Sequence, residues 1–410
     1  MVTSRVLVAL LAVASVASAA QQPVRFDDVI RNLRNPDAKV RLSALEVLHE
    51  AKYPEAIAPI APLVDDPVDD VQLAAIQTEL SFYLVEDVKA RRRVGLVIEK
   101  RSPAVAQTAF NLPPSRRWPR ATPPELIAAL VKAIDDENPR VRLEAVYAIG
   151  VVGNPPLAAA DAQGLIKALD HYDPAIRMAA AEVIGRLRVT EASDALIKAV
   201  NDSQPPVRYA AMHALGRLRE ARAIAALTDQ LKYYVKGEGA WSALEALARI
   251  ADPSSVPLFK ERLTDKDPNI RRAAAEGLGR AGDTSVMEPL TSAATTDPSD
   301  MVRAAMAFAL QKLGQNYAQR MVDGMTSSRV IPQVQEYLLE LGPPIVPAIL
   351  PFLQEPEPSI RLAVADVLGF IGGDAAVAPL TAATQDRDPD VAAAAKRAIE
   401  RLKLGAAPRS

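Results

Sequence analysis

The chain has 410 residues, 49% of them apolar but only 4% aromatic, with 33 Pro, 18 Gly and no Cys. A core so short of rings is built from Ala, Leu, Val and Ile, which suits helices packed at close range. The near balance of 48 Lys+Arg against 50 Asp+Glu leaves no global field for nucleic acid or an acidic membrane surface, and the lack of Cys excludes a disulfide scaffold, thiolate chemistry, a Cys-ligated metal and a Cys-linked lipid.

Residues 1–20 read as an export signal. Arg5 supplies the positive end, Val6 to Val16 the apolar stretch, and Ala17-Ser18-Ala19-Ala20 the small-residue site, with cleavage expected after Ala19 or Ala20. The stretch falls short of the roughly 18–20 apolar residues that span a bilayer. The mature chain is therefore expected to be exported, periplasmic or secreted, without a transmembrane segment.

From there a short motif recurs. Asp173-Pro174-Ala175-Ile176-Arg177 returns as Asp267-Pro268-Asn269-Ile270-Arg271, with weaker copies at 35–41, 138–142, 204–208, 297–303 and 357–361. Counting each unit from its Val/Ile position, taken as 0, places units at 40, 71, 105, 141, 176, 207, 239, 270, 302, 330, 360 and 391. The mean period is about 32 residues, and the units at 105, 239 and 330 are aligned by their helices because their leading motif is degraded. Asp or Asn before Pro predicts a capped helix start, where Pro loses no hydrogen bond. Apolar residues at 0, +4, +7 and +8 make one buried stripe, and Gly, as in Gly282-Asp283, closes the helix before a second one returns. A single helical pair cannot bury its own apolar face, so the pairs must stack into an all-α solenoid across residues 21–410.

These residues resemble the short HEAT-like repeats of the kind found in phycobilin lyases, over roughly residues 26 to 402. The resemblance implies a superhelix of about twelve helical pairs. It implies no single function, because such proteins include scaffolds, adaptors and occasional enzymes. The Arg at +1 (Arg41, Arg142, Arg177, Arg208, Arg271, Arg303, Arg361) is expected to bridge to Asp or carbonyl groups of the adjacent repeat. The final unit, with Lys396, Arg397, Glu400, Arg401 and Lys403, is expected to be a polar terminal cap.

Catalytic signatures are absent from the sequence. Deoxyhypusine hydroxylase, another HEAT-repeat family, carries several His-Glu dipeptides as iron ligands, whereas this chain has only His49-Glu50. No phosphate loop, nucleophile elbow or H-E-x-x-H motif occurs, so no catalytic, cofactor or metal residues are assigned and no cofactor is expected. The acids at +6 (Glu46, Glu182, Glu245, Glu276, Glu336, Asp366) read as a solvated face.

Binding residues are sought where the pattern breaks and on the concave side. An irregular stretch at 89–124 carries Lys89, Arg91, Arg92, Arg93, Lys100, Arg101, Arg116, Arg117 and Arg120 against Glu99, and ends in a Pro-rich loop with Trp118. It reads either as a connector or as a docking site for an anionic partner, with Arg116, Arg117 and Arg120 as the contacts. A second irregular loop spans 233–239. On the helices that start at position 0, the +2 and +6 columns bring Tyr147, Met178, Tyr209, His213 and Trp241 into one aromatic patch with an acidic rim of Glu182, Glu245 and Glu276. The alternative is that these rings pack against neighbouring helices or under the Tyr233-Tyr234 loop. The expectation for function is an exported, non-enzymatic scaffold or adaptor that binds a protein or peptide on its concave face and no nucleic acid; the alternative is an accessory subunit presenting substrate to an envelope enzyme. The sequence sets no oligomeric state.

Overall fold

The computed structural model describes residues 25–88 and 104–406. The expected signal segment and the first half of the basic stretch, Lys89 to Arg101, lie outside them. The described residues form helices throughout, the one β-like feature among them being an isolated antiparallel bridge between Leu84 and Arg117. No single described helix is long and apolar enough to cross a membrane.

The twelve motif positions all fall at an inner layer of helices: Ala38–Ala51, Asp69–Tyr83, Val105–Phe110, Pro139–Val152, Pro174–Leu187, Pro205–Leu218, Glu238–Ile250, Pro268–Ala281, Asp300–Lys312, Ile331–Leu341, Pro358–Ile371 and Pro389–Ala406. Shorter outer helices such as Ser193–Ala199 and Val256–Arg262 return the chain between them. The starts form as the sequence dictates. The Asp173 carboxylate accepts from the Ala175 amide and that of Asp267 from the Asn269 amide, both at 2.9 Å, with Pro in the first turn.

The +1 arginines stitch neighbouring units together. Arg177 forks onto Asp202 at 2.8 and 2.9 Å, Arg271 onto Asp297 at 2.8 and 2.9 Å, and Arg361 onto Asp386 at 2.8 Å through both nitrogens. Each also donates backward to two carbonyls of its own capping loop, as Arg271 does to Asp265 and Lys266. One guanidinium thus ties the loop that starts its helix to the loop of the next unit. Where position +1 is Gln72, its amide keeps half of this link by donating to Asp136 at 2.9 Å.

Side by side, the inner helices approach through small residues. A methyl at Gly185 would fall 2.7 Å from Ala214 Cα, and one at Gly279 would fall 2.5 Å from Ala309 Cα. Only Gly at +9 permits the Ala at +7 of the following helix to come so near, and Gly216 and Gly369 repeat the contact against Ala246 and Ala398. The C-terminal ends of the inner helices are thereby drawn together.

That convergence curls the stack until its last helix meets the loop that follows the third unit. Arg401, in the last helix, donates to the Ser115 and Arg117 carbonyls at 3.0 and 3.2 Å, across 286 and 284 residues of sequence. The expected polar cap is therefore only half present. Lys396, Glu400 and Lys403 face solvent, whereas Arg401 is buried in the closure and Arg397 turns towards Asp366 at 3.8 Å. Between this contact and the inner helices lies a half-open lumen.

Candidate binding site

Position +10 lies next to the +9 glycine and so at the converging ends of the inner helices. In four consecutive units it is arginine: Arg186, Arg217, Arg249 and Arg280. All four line one cavity of about 950 Å³, with Arg188 and Arg219 at the following turns and Arg117 and Arg401 at the closure. Three carboxylates, Glu336, Glu340 and Asp366, share the wall, and Leu112, Trp118, Leu187, Leu339 and Phe370 give it apolar surface.

The carboxylates serve only one side of the lumen. Glu340 accepts from Arg280 at 2.9 and 3.0 Å, Arg280 also reaches Glu276 at 3.1 Å, and Glu336 accepts from Arg249 at 2.7 Å. On the opposite side Arg186 lies over the Phe110 ring, 3.3 Å from its centroid, and donates to the Phe110 carbonyl; Arg117 donates to the Leu112 carbonyl at 3.3 Å. Arg217 has no ion-pair or hydrogen-bond partner among the described residues. Burial and then the charges of Arg117 and Arg217 push the Arg186 guanidinium down to about 9. Burial followed by Arg217 lowers Arg117, and burial followed by Arg249 lowers Arg217. All three stay charged at neutral pH, and although Glu182 acts on Arg186 and Arg217 and Glu336 acts on Arg217, no carboxylate hydrogen-bonds to any of the three, so positive charge is in excess on this wall.

The structure distributes the sequence-predicted patch differently. Tyr147 is fully buried, its hydroxyl donating to Glu182 at 2.8 Å and accepting from Gln107 at 3.0 Å. Met178 is half-buried against the core. Tyr209 meets Tyr234 edge to face at 5.5 Å, which is the packing beneath the 233–239 loop. Trp241 donates its indole N–H to Asp267, the cap of the next inner helix. The rings are joined to neighbouring helices rather than gathered on a free surface. The acidic rim is likewise consumed: Glu245 pairs with Arg272, and Glu276 is buried between Arg272 at 2.8 Å, Arg280 at 3.1 Å and the Tyr337 hydroxyl. Asp366, too, is buried rather than solvated. The physical reason is that an inner helix is clamped on both flanks, so +2 and +6 meet the next helix and only a narrow strip reaches the lumen.

His213 lies on the solvent side of this boundary. Its side chain keeps 43% of its surface accessible, with Glu245 at 3.6 Å from Nδ1 and Ser242 Oγ at 3.1 Å from Nε2. The surrounding walls desolvate it, and Arg217, Arg249 and Arg272 repel a proton, so its pKa falls to about 4.

Of the loop arginines, Arg116 pairs with Glu86 at 2.9 Å and Arg120 donates to the Phe82 carbonyl at 3.2 Å. The loop backbone is sewn to the end of the Asp69–Tyr83 helix, Val85 N to Arg116 O at 3.0 Å and Trp118 N to Tyr83 O at 2.9 Å. It forms a fixed wall of the lumen, to which Arg117 alone of the three contributes.

Models of HEAT repeats match residues 162–238, 236–311 and 332–400. The chain belongs to the HEAT-repeat family. Among solved structures, an engineered protein from the Northeast Structural Genomics Consortium is similar to this HEAT chain at 19% identity and a TM-score of 0.41, covering 92% of it and 98% of the engineered chain. The complex of CpcE and CpcF of phycocyanin lyase from Nostoc sp. PCC7120 is similar at 18% identity and a TM-score of 0.36, covering 77% of this chain and 97% of that one. No curated protein matches. The HEAT pattern did contain the signal for the site: Gly185-Arg186, Gly216-Arg217 and Gly279-Arg280 recur in step with the repeat, but a +10 arginine draws no notice until curvature is known.

Proposed function

We propose that the protein is an exported, non-catalytic HEAT-repeat scaffold that receives an anionic ligand, or an anionic segment of a protein or peptide partner, in its lumen. The observation that carries this reading is the excess of arginine on one cavity wall, where Arg117, Arg186 and Arg217 make no hydrogen bond to a carboxylate and only Glu182 and Glu336 act on Arg186 and Arg217 from a distance. Like charges held together in a partly desolvated space cost stability, and an arriving anion relieves that cost. This reverses the ligand charge expected from the acidic rim, where Glu245 and Glu276 are paired with arginines and Glu182 accepts from the Tyr147 hydroxyl. The remaining chemistry of the wall favours binding over catalysis. Guanidiniums do not exchange protons at neutral pH, and Glu336 and Glu340 are held by Arg249 and Arg280. Export is supported by the Arg5, Val6 to Val16 and Ala17 to Ala20 pattern.

The test is an affinity capture from envelope extract, comparing the mature chain with its Arg186→Gln/Arg217→Gln variant and reading the captured species by mass spectrometry. A species retained by the first and lost by the second is expected. Equal capture by both removes the lumen from the function. N-terminal sequencing of the recovered protein should begin at Ala20 or Gln21, and an intact Met1 would refute export.

A further inference from the structure

Resting on the reading of the lumen as a binding site, we propose that its ligand is a phosphoryl-bearing small molecule with an apolar or ring-shaped body, the phosphoryl group seated among Arg117, Arg186 and Arg217. The argument begins with how this chain treats carboxylates. At Arg249 and Arg280 carboxylates are bonded directly to the guanidiniums, Glu336 to the first and Glu340 and Glu276 to the second. Arg117, Arg186 and Arg217 instead line one wall of the same cavity with two backbone carbonyls as their only hydrogen-bond acceptors among the described residues, Glu182 and Glu336 acting on Arg186 and Arg217 only through space. A carboxylate brings a single charge and two oxygens, which fits one fork. A phosphate monoester brings close to two charges on three terminal oxygens, so it can accept from three converging guanidiniums at once.

A second observation comes from the closure. Arg401 is 5% exposed and lines the cavity, yet its Nε and Nη1 have no partner among the described residues, and neither has Nε of Arg117. Burying unpartnered guanidinium nitrogens is costly, and both side chains belong to the cavity wall, where Asp366 is the acid that acts on Arg401. The rest of the wall sets the body of the ligand. Trp118, Leu112 and Leu187 lie on the arginine side and Phe370 beside Arg401, 4.4 Å from guanidinium carbon to ring centroid. A volume of about 950 Å³ is at the upper end of small-molecule sites.

Calorimetric titration of the mature chain with phenyl phosphate, inorganic phosphate, benzoate and a hexaglutamate peptide at low ionic strength separates the possibilities. Phenyl phosphate is expected to bind at least about tenfold more tightly than benzoate, which has a ring but only a carboxylate, and more tightly than inorganic phosphate, which lacks the ring. Arg186→Gln and Arg217→Gln should each weaken phenyl phosphate about tenfold or more, and Arg217→Lys, which keeps charge and fold but not the fork, should lose part of the affinity. Arg222→Gln, on the outer surface, should change nothing. Benzoate binding as well as phenyl phosphate, or equal loss in the Arg222 variant, overturns the proposal. Tighter, Arg217-dependent binding of hexaglutamate overturns the phosphoryl assignment while leaving the anion-receiving lumen intact, and indifference of every probe to Arg186 and Arg217 overturns both.

Discussion

Two arginine columns run along the same helices with the same period and meet opposite fates. At +1, on the loop edge, Arg177, Arg271 and Arg361 are forked onto aspartates and onto their own capping carbonyls, so each charge is matched and each unit is tied to the next. At +10, on the lumen edge, Arg186 and Arg217 face other arginines. The first column behaves as mortar, whose loss is felt in stability. The second is a cost to the ligand-free protein that the fold tolerates because the Gly-to-Ala contacts beside it force the helix ends together. Residue type and period alone do not separate the two environments: Arg177, Arg271 and Arg361 hold aspartates and Arg249 and Arg280 hold glutamates, whereas Arg186 and Arg217 hydrogen-bond no carboxylate among the described residues.

The comparison can be broken most heavily by destroying a helix that carries both columns. Ala274→Pro, at a fully buried mid-helix position, should cost about 3 kcal/mol or more and lower helical content, read by circular dichroism on denaturation. Next, Arg271→Ala should cost about 3 kcal/mol, because it strands the largely covered Asp297 carboxylate, whereas Arg217→Ala should fall within about 0.5 kcal/mol of wild type or be stabilising.

A pH experiment sharpens the contrast from the lumen side. His213 in the folded chain titrates at about 4, below its ordinary 6.5, so between those values the unfolded chain binds a proton that the native one refuses. Stability should therefore fall as the pH drops from 6.5 to 4, and His213→Gln should flatten that part of the profile. If the +10 arginines are part of the cause, the His213 imidazole resonances in Arg217→Gln should titrate at a higher pH than in wild type. The smallest effect is expected at Arg116: breaking its surface pair with Glu86 by Arg116→Gln should change stability by no more than about 0.5 kcal/mol.

The helices and their order were legible in the sequence because they are local. The Asp-Pro caps, the apolar stripe and the +1 arginine each act within a unit or between neighbours, and Arg177 with Asp202 spans only 25 residues. The closure was not legible, since the contact of Arg401 with Ser115 depends on small rotations accumulated over many repeats. The aromatic patch failed for a related reason. The 3.6-residue stripe correctly marks the main core face, but it cannot say that the opposite flank is also covered by the next inner helix, which is what buries Tyr147 and engages Trp241 with Asp267. Arg117 was singled out for its basic neighbourhood and lines the cavity, while Arg116 and Arg120, in the same run, bond to Glu86 and to the Phe82 carbonyl.

The central claim, that Arg186 and Arg217 bond no carboxylate while the +1 arginines hold the stack together, is tested most directly by thermal denaturation of two double variants without ligand at low ionic strength. The account predicts that Arg186→Gln/Arg217→Gln melts at or above the wild-type temperature, since it removes mutual repulsion, and that Arg177→Gln/Arg271→Gln melts several degrees lower. A lumen variant that melts as low as the loop-edge variant would contradict it, and would make the inner arginines part of the scaffold.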